Sequence, residues 1–328
     1  MQVVSASPTP PTATEAELLA HRLLLFTGKG GVGKSTVTAA LAIEAASRGM
    51  RPLVVELGHR ATMRSIFGVD EVGFTPRSVG HGVHAMSVEI DKAVVDYMVQ
   101  HIPSRRTARA IVGNPVLDRL FKAMPAVGEI ATVNTLRRLA AERDDAGRFR
   151  WGPILVDLDA TGHALMFLEL RDVVAHLMGA GPMRALLDEV ADLFADPRRT
   201  RLNLVTLADE LPVTETLELH EKLVAARSVS FGRVFVNRVP NTGLLGSTEA
   251  IEKLHAAATA CGDAELIADA VFAQQSVRAE QHARRQIERL APISAPVVEL
   301  PRLTAARMQF EELQTLGRVA LGSTEASR

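Results

Sequence analysis

Short apolar runs alternate with longer amphipathic segments along most of the chain. Leu23 to Phe26 is the first run, and Arg51-Pro-Leu-Val-Val-Glu56, Pro153 to Asp157, Leu202 to Leu207, Gly232 to Arg238 and Ala295 to Leu303 follow it. Runs of this length, bounded by Gly, Pro or charged residues, read as buried strands of a largely parallel sheet. Met86-Ser-Val-Glu-Ile-Asp91 reads as either a short strand or the start of a helix. Between the runs, apolar residues recur three and four positions apart, the period of a helix with one buried face. Val37, Leu41 and Ile43 mark the first helix. From Ala93 to about Arg143, Val94, Met98, Ile102, Val116, Leu120 and Met124 keep the same period, while Pro103, Gly113-Asn-Pro115 and Pro125 divide it into short helices. That block is too large for a simple crossover and reads as an inserted helical layer, closed by Gly147 to Gly152. A second helical block runs from Leu165 to Phe194. Glu210 to Lys222 reads as a further helix, residues 247–290 as a charged, solvated helical layer, and one helix closes the chain after the last strand. The pattern predicts an α/β fold, a doubly wound and mostly parallel sheet with an inserted α-helical subdomain. A single domain is expected over 21–320, with insertions at about 92–147 and 165–195, a disordered tail over 1–20 and a polar tail over 321–328.

One stretch narrows the chemistry. Phe26-Thr-Gly-Lys-Gly-Gly-Val-Gly-Lys-Ser-Thr36 fits G-x-x-x-x-G-K-[ST], preceded by a strand and followed by a helix. In such a phosphate loop, Gly28, Gly30, Gly31 and Gly33 let the backbone curl, so that the N–H groups of Lys29 to Thr36, Val32 among them, face phosphate oxygens at a helix N-terminus. Lys34 would reach the β- and γ-phosphates and the Ser35 hydroxyl would hold Mg²⁺. Asp157 ends the strand of Pro153 to Asp157 and takes the Walker B position, a second group for Mg²⁺. The fold is therefore expected to be that of a P-loop NTPase, with ATP and Mg²⁺ as ligands.

Composition closes other routes. With 47% hydrophobic residues over 328, the chain can fill a core without staples, and its single cysteine, Cys261, excludes an internal disulfide framework, a C-x-x-C zinc site and a cysteine cluster for a soft metalloid. A formal net charge of −1 gives no bulk attraction to nucleic acid or anionic lipid. No apolar run reaches the ~18 residues of a membrane span, so stable insertion is not expected. Met1 to Glu15 lacks the basic start and apolar centre of a signal peptide, which points to a cytoplasmic location.

The second lysine of the loop, Lys29, gives Lys-Gly-Gly-Val-Gly-Lys-Ser, which resembles the deviant phosphate loop of the ATPase class holding MinD, ParA, the nitrogenase iron protein and the ArsA-like ATPases. In that class the extra lysine reaches the phosphates of the facing subunit; read from the residue alone, Lys29 could equally be a solvated surface charge. Asp157-Leu-Asp-Ala-Thr-Gly-His163 is similar to the D-x-x-P-T-G-H switch of the ArsA-like ATPases, and Glu210-Leu-Pro-Val-Thr-Glu-Thr216 and Val236-Asn237-Arg238 follow in the family's order. The resemblance covers roughly residues 22–315. It implies a dimeric ATPase, homo- or heteromeric, that couples nucleotide state to a protein client with an apolar segment or to a membrane partner. It also implies that Asn237 reads the adenine edge, beside Arg238, with Pro301 and Arg302 flanking the base; Asn237 is otherwise a strand-end cap. The family places a water-orienting aspartate near Gly58, where this chain has none, so Glu56 and Asp159 are the candidate catalytic carboxylates beside Lys29. Two other functions stay open: a weakly hydrolysing ATP-binding subunit that pairs with a homologue, and a MinD/ParA-type positioning ATPase, against which Gln309 to Arg328 lacks a basic amphipathic helix. The methionine-bearing helical blocks stand either for a client groove or for core packing over the sheet.

Overall fold

A computed structural model of the chain describes residues 13–58, 61–101, 127–158, 182–226, 229–303 and 309–322, and within them eight strands form one sheet. These are β1 (Leu23–Thr27), β2 (Leu53–Leu57), β3 (Arg77–Gly80), β4 (Val83–Val88), β5 (Ile154–Asp157), β6 (Thr200–Leu207), β7 (Phe231–Val239) and β8 (Val297–Pro301). Their spatial order is β3-β4-β2-β5-β1-β6-β7-β8. Every pair is parallel except β3 with β4. Strands β1, β2 and β5 are buried at each residue, as a parallel sheet covered on both faces requires. This is the α/β, mostly parallel architecture that the pattern predicts.

Ten helices are described: α1 (Ala13–Ala20), α2 (Lys34–Ser47), α3 (Thr62–Phe67), α4 (Ile90–His101), α5 (Val127–Ala141), α6 (Pro182–Ala195), α7 (Glu210–Ala226), α8 (Thr248–Cys261), α9 (Ala264–Glu288) and α10 (Phe310–Leu321). Side chains alternate across each strand, and two cores result. Leu24, Phe26, Val54, Leu155, Val205 and Phe235 face α2 and α10. Leu23, Leu25, Val55, Ile154, Val156 and Leu204 face α5, α6 and α7. Helices α2 and α10 meet at backbone distance: a Cβ on Gly317 would lie 2.3 Å from the carbonyl oxygen of Ala40. The alanines of α2 leave room for that approach.

Three expectations need correction. The tail does not extend to residue 20: α1 begins at Ala13, and Leu18 and Leu19 are buried against the α2 core. The first helical block ends at Ala141, not 147, because Glu142 to Gly152 forms a turn in which the Asp144 carboxylate accepts the N–H groups of Ala146 and Arg148. Residues 102–126 of that block, and 165–181 of the second, lie outside the described residues. Met86–Asp91, left open between a short strand and a helix start, holds both, the end of β4 and the start of α4. Strand β3 was not expected. It pairs with β4 through His81-Gly82, both at positive φ, the two-residue hairpin loop that matches strand twist. Among the described residues no helix is long and apolar enough to cross a membrane.

Candidate functional site

The strand β1, the loop after it and α2 form one unit at the carboxyl edge of the sheet. Gly28 has φ +149°, and a Cβ there would stand 2.0 Å from the Val205 carbonyl oxygen, so β6 presses on the loop where only glycine fits. Gly33, at φ +96°, is the residue before α2; no side chain caps that helix, and its first N–H groups open toward the loop. Lys34 is buried, and its ammonium donates to the carbonyls of Gly28 (2.9 Å) and Lys29 (3.2 Å), which closes the loop into a ring. A cavity of about 190 Å³ lies against this ring, lined by Gly31, Lys34, Ser35, Thr36, Glu56 and Asp157 among others. Backbone donors, a helix N-terminus and an ammonium make it an anion cradle.

Two carboxylates close the other side. Phe26 and Glu56 are both register partners of Asp157, because β5 lies between β1 and β2. The Ser35 hydroxyl donates to Asp157 Oδ2 at 2.5 Å. Glu56 is 2% exposed; its Oε1 accepts the Thr62 N–H at 2.7 Å, and its Oε2 is buried with no hydrogen-bond partner among the described residues. Burial holds the Glu56 pKa above the ordinary carboxylate range; the Thr62 donors pull it down and the nearby Asp157 charge adds to the rise. Ser35, Asp157 and Glu56 offer only oxygen, which suits a hard cation such as Mg²⁺ that takes its remaining ligands from phosphate and water. No group of three or more His, Cys, Asp or Glu gathers among the described residues.

The remaining predicted residues distribute unevenly. Lys29 points away from its own loop and pairs with Glu215 of α7 at 2.6 Å, both about one-third exposed. Asn237 is buried and turns its amide to the Val32 carbonyl at 2.8 Å, while its carbonyl oxygen accepts the Arg238 N–H. It therefore braces the loop, and with Thr36, Arg238, Pro301, Arg302 and Leu316 it lines a second cavity of about 290 Å³. Gly58 sits at φ +98° at the end of β2. Asp159 and the rest of its switch lie outside the described residues. Sequence reasoning quoted Glu215 only within the Glu210–Thr216 segment and missed its pairing with Lys29, 186 positions away. It also missed Thr62, although a threonine opening a short helix just past β2 was there to be read.

Comparison with known proteins agrees with the loop. The sequence model of the family described as "Anion-transporting ATPase" matches residues 21–184. The chain is 31% identical over 222 residues to the ATPase BagA of Mycobacterium tuberculosis, a match covering 66% of this chain and 65% of that protein. It is 29% identical to the arsenical pump-driving ATPase of Acidiphilium multivorum, over 61% of this chain and 36% of that one, and 27% identical to one from Escherichia coli, over 72% and 41%. The matches thus span under two thirds of these relatives' own length.

Proposed function

For a chain that belongs to the ArsA-like family of anion-transporting ATPases, we propose Mg–ATP binding on Gly28 to Thr36 and hydrolysis of the γ-phosphate. The observation that carries this reading is the Ser35–Asp157 bond beside the Lys34-closed loop, since it sets both metal-side oxygens within one small cavity. The backbone N–H groups and Lys34 hold the phosphates, Ser35 and Asp157 hold the ion, and Asn237 with Arg238, Pro301 and Arg302 forms the base side. Bound Mg²⁺ supplies charge neutralisation across the β- and γ-phosphate oxygens. Glu56 orients the attacking water, in place of an aspartate at Gly58. Lys29 serves the facing subunit of an ATP-dependent dimer, and nucleotide state is coupled to a protein client or membrane partner. Isothermal titration with Mg–ATP tests the core of this: Lys34→Ala is expected to abolish binding, and an unchanged affinity would remove the phosphate-loop assignment.

A second reading, a subunit that binds ATP but turns over slowly beside a homologous partner, has its own support. Glu56 is fixed to Thr62 and Gly58 carries no carboxylate. Single-turnover hydrolysis by the purified chain separates the two, since the first reading requires product on the timescale of ~1 s⁻¹ chemistry and the second does not.

A further inference from the structure

At the opposite edge of the sheet, where β2, β4 and β5 begin, a cleft of about 690 Å³ opens between the strands and helices α4 and α5. Five arginines line it, Arg51, Arg77, Arg137, Arg138 and Arg150, against two carboxylates, Asp96 and Glu142. The carboxylates do not satisfy the arginines. Arg138 takes Asp96 at 2.5 Å. Glu142 is divided, one oxygen on Arg150 at 3.2 Å and the other on the Trp151 indole N–H at 2.7 Å. Arg137 reaches out to Glu189 at 2.7 Å and to the Asn134 side chain at 3.2 Å, while its Nε is buried without a partner among the described residues. Among the described residues Arg77 meets only the exposed Glu71, at 3.2 Å for its carbonyl and 3.5 Å for its carboxylate, an arrangement worth little in water. Arg51 has no carboxylate or hydrogen-bond acceptor for its guanidinium among the described residues; it lies 5.0 Å over the Trp151 ring. His84 packs against the same ring, and its Nδ1 is buried with no partner among the described residues.

We propose that this cleft is a second anion site, separate from the phosphate loop, which takes a small molecule with two or more anionic groups of the phosphate or carboxylate kind. Arginine forks suit such groups because they bind two oxygens in one plane. The volume falls within the roughly 300–1,000 Å³ of small-ligand sites. Trp151, only 3% exposed, offers no face for a nucleic-acid base to stack on, which sets polynucleotide binding aside. Burial first, and then the charges of Arg51 and Arg150, hold the His84 pKa below its ordinary value.

The experiment uses the full chain carrying Lys34→Ala, which removes phosphate binding at the loop. Isothermal titration at 150 mM salt, with pyrophosphate in one arm and citrate in the other, is expected to give one site per chain and to distinguish phosphate from carboxylate preference. Adding Arg51→Ala with Arg150→Ala is expected to weaken that binding tenfold or more, and Arg51→Lys, which keeps charge but loses the fork, to weaken it less. The double variant in the otherwise native chain should bind Mg–ATP as before, which guards against misfolding. Should the double variant not fold, Arg51→Gln alone, at an exposed position, carries the same expectation of a several-fold loss. Neither anion binding to the Lys34→Ala chain, or binding that the arginine substitutions leave within twofold, would overturn the proposal.

Discussion

Glu56 combines the deepest burial among the site's charged residues with a proposed catalytic duty, and the two pull in opposite directions. Its pKa in the folded chain is raised, so the protonated form is the one folding favours. The stability it contributes is full below the unfolded carboxylate pKa and is lost as pH rises through the folded one. At pH 7 the ionised group is therefore a cost. Glu56→Gln is expected to raise Tm at pH 7, with the gain shrinking toward pH 4, and to lower turnover by roughly 10²-fold or more if the carboxylate orients water. Thermal scans at both pH values with steady-state rates check the pair; a stabilised variant with native turnover would free Glu56 of that role. Lys29 is held more lightly. A part-exposed ion pair is worth about 0–1 kcal/mol, so Glu215→Gln should release Lys29 and increase ATP-driven dimer formation by up to about fivefold. Sedimentation with a non-hydrolysable analogue reads this, and a loss of dimer would instead make Glu215 a positioning group. The loop was legible because Gly28 to Thr36 is contiguous and its chemistry follows from spacing. The destinations of Lys29 and Asn237 were not, since their partners, Glu215 and the Val32 carbonyl, are brought near only by the packing of α7 and β7 around the loop.

Strands and long helices were read well for a related reason. Six apolar runs coincide with strands, and the run left open, Met86–Asp91, holds the end of a seventh, β4; in β1, β2 and β5 the burial at every position that a parallel sheet covered on both faces needs leaves a plain mark in the sequence. The eighth strand, β3, has exposed residues at three of its four positions and no such mark. Its only signature was the Gly80-His-Gly82 turn. The end of the first helical block was misplaced because Ala140 and Ala141 are good helix formers, and the turn that stops the helix depends on Asp144 capping the loop behind it. The contact of α2 with α10 makes a sharper statement. A methyl group at Gly317 would meet the Ala40 carbonyl oxygen and come within 2.9 Å of Glu44 Cβ, so the helices would have to separate. Gly317→Ala is expected to destabilise the fold by about 1–3 kcal/mol. Since α2 carries Lys34 and Ser35 at its first turn, the same change should weaken Mg–ATP binding. Urea unfolding and titration of one sample measure both, and a neutral or stabilised variant would show that α10 yields.

For the molecule as a whole, the decisive question is whether catalysis needs two chains. If Lys29 acts on the neighbouring subunit, Lys29→Ala should bind Mg–ATP nearly as well as the native chain and lose turnover steeply, by analogy with the roughly 10³–10⁵ that an arginine finger contributes. Native turnover per chain should then fall on dilution; a rate constant down to purely monomeric concentrations would sink the dimer. The sheet itself restricts how two chains can meet. Its β3 end is a four-residue strand with a register shift between Ser78 and Gly80 and a charged Arg77, and its β8 end carries Glu299 and closes on Pro301, which has no N–H to donate. Both margins are poor templates for another strand. The chain is thus guarded against growing into a continuous ribbon with its own copies, and any pairing is left mainly to side chains and loops, where association can be reversed each time the bound nucleotide changes.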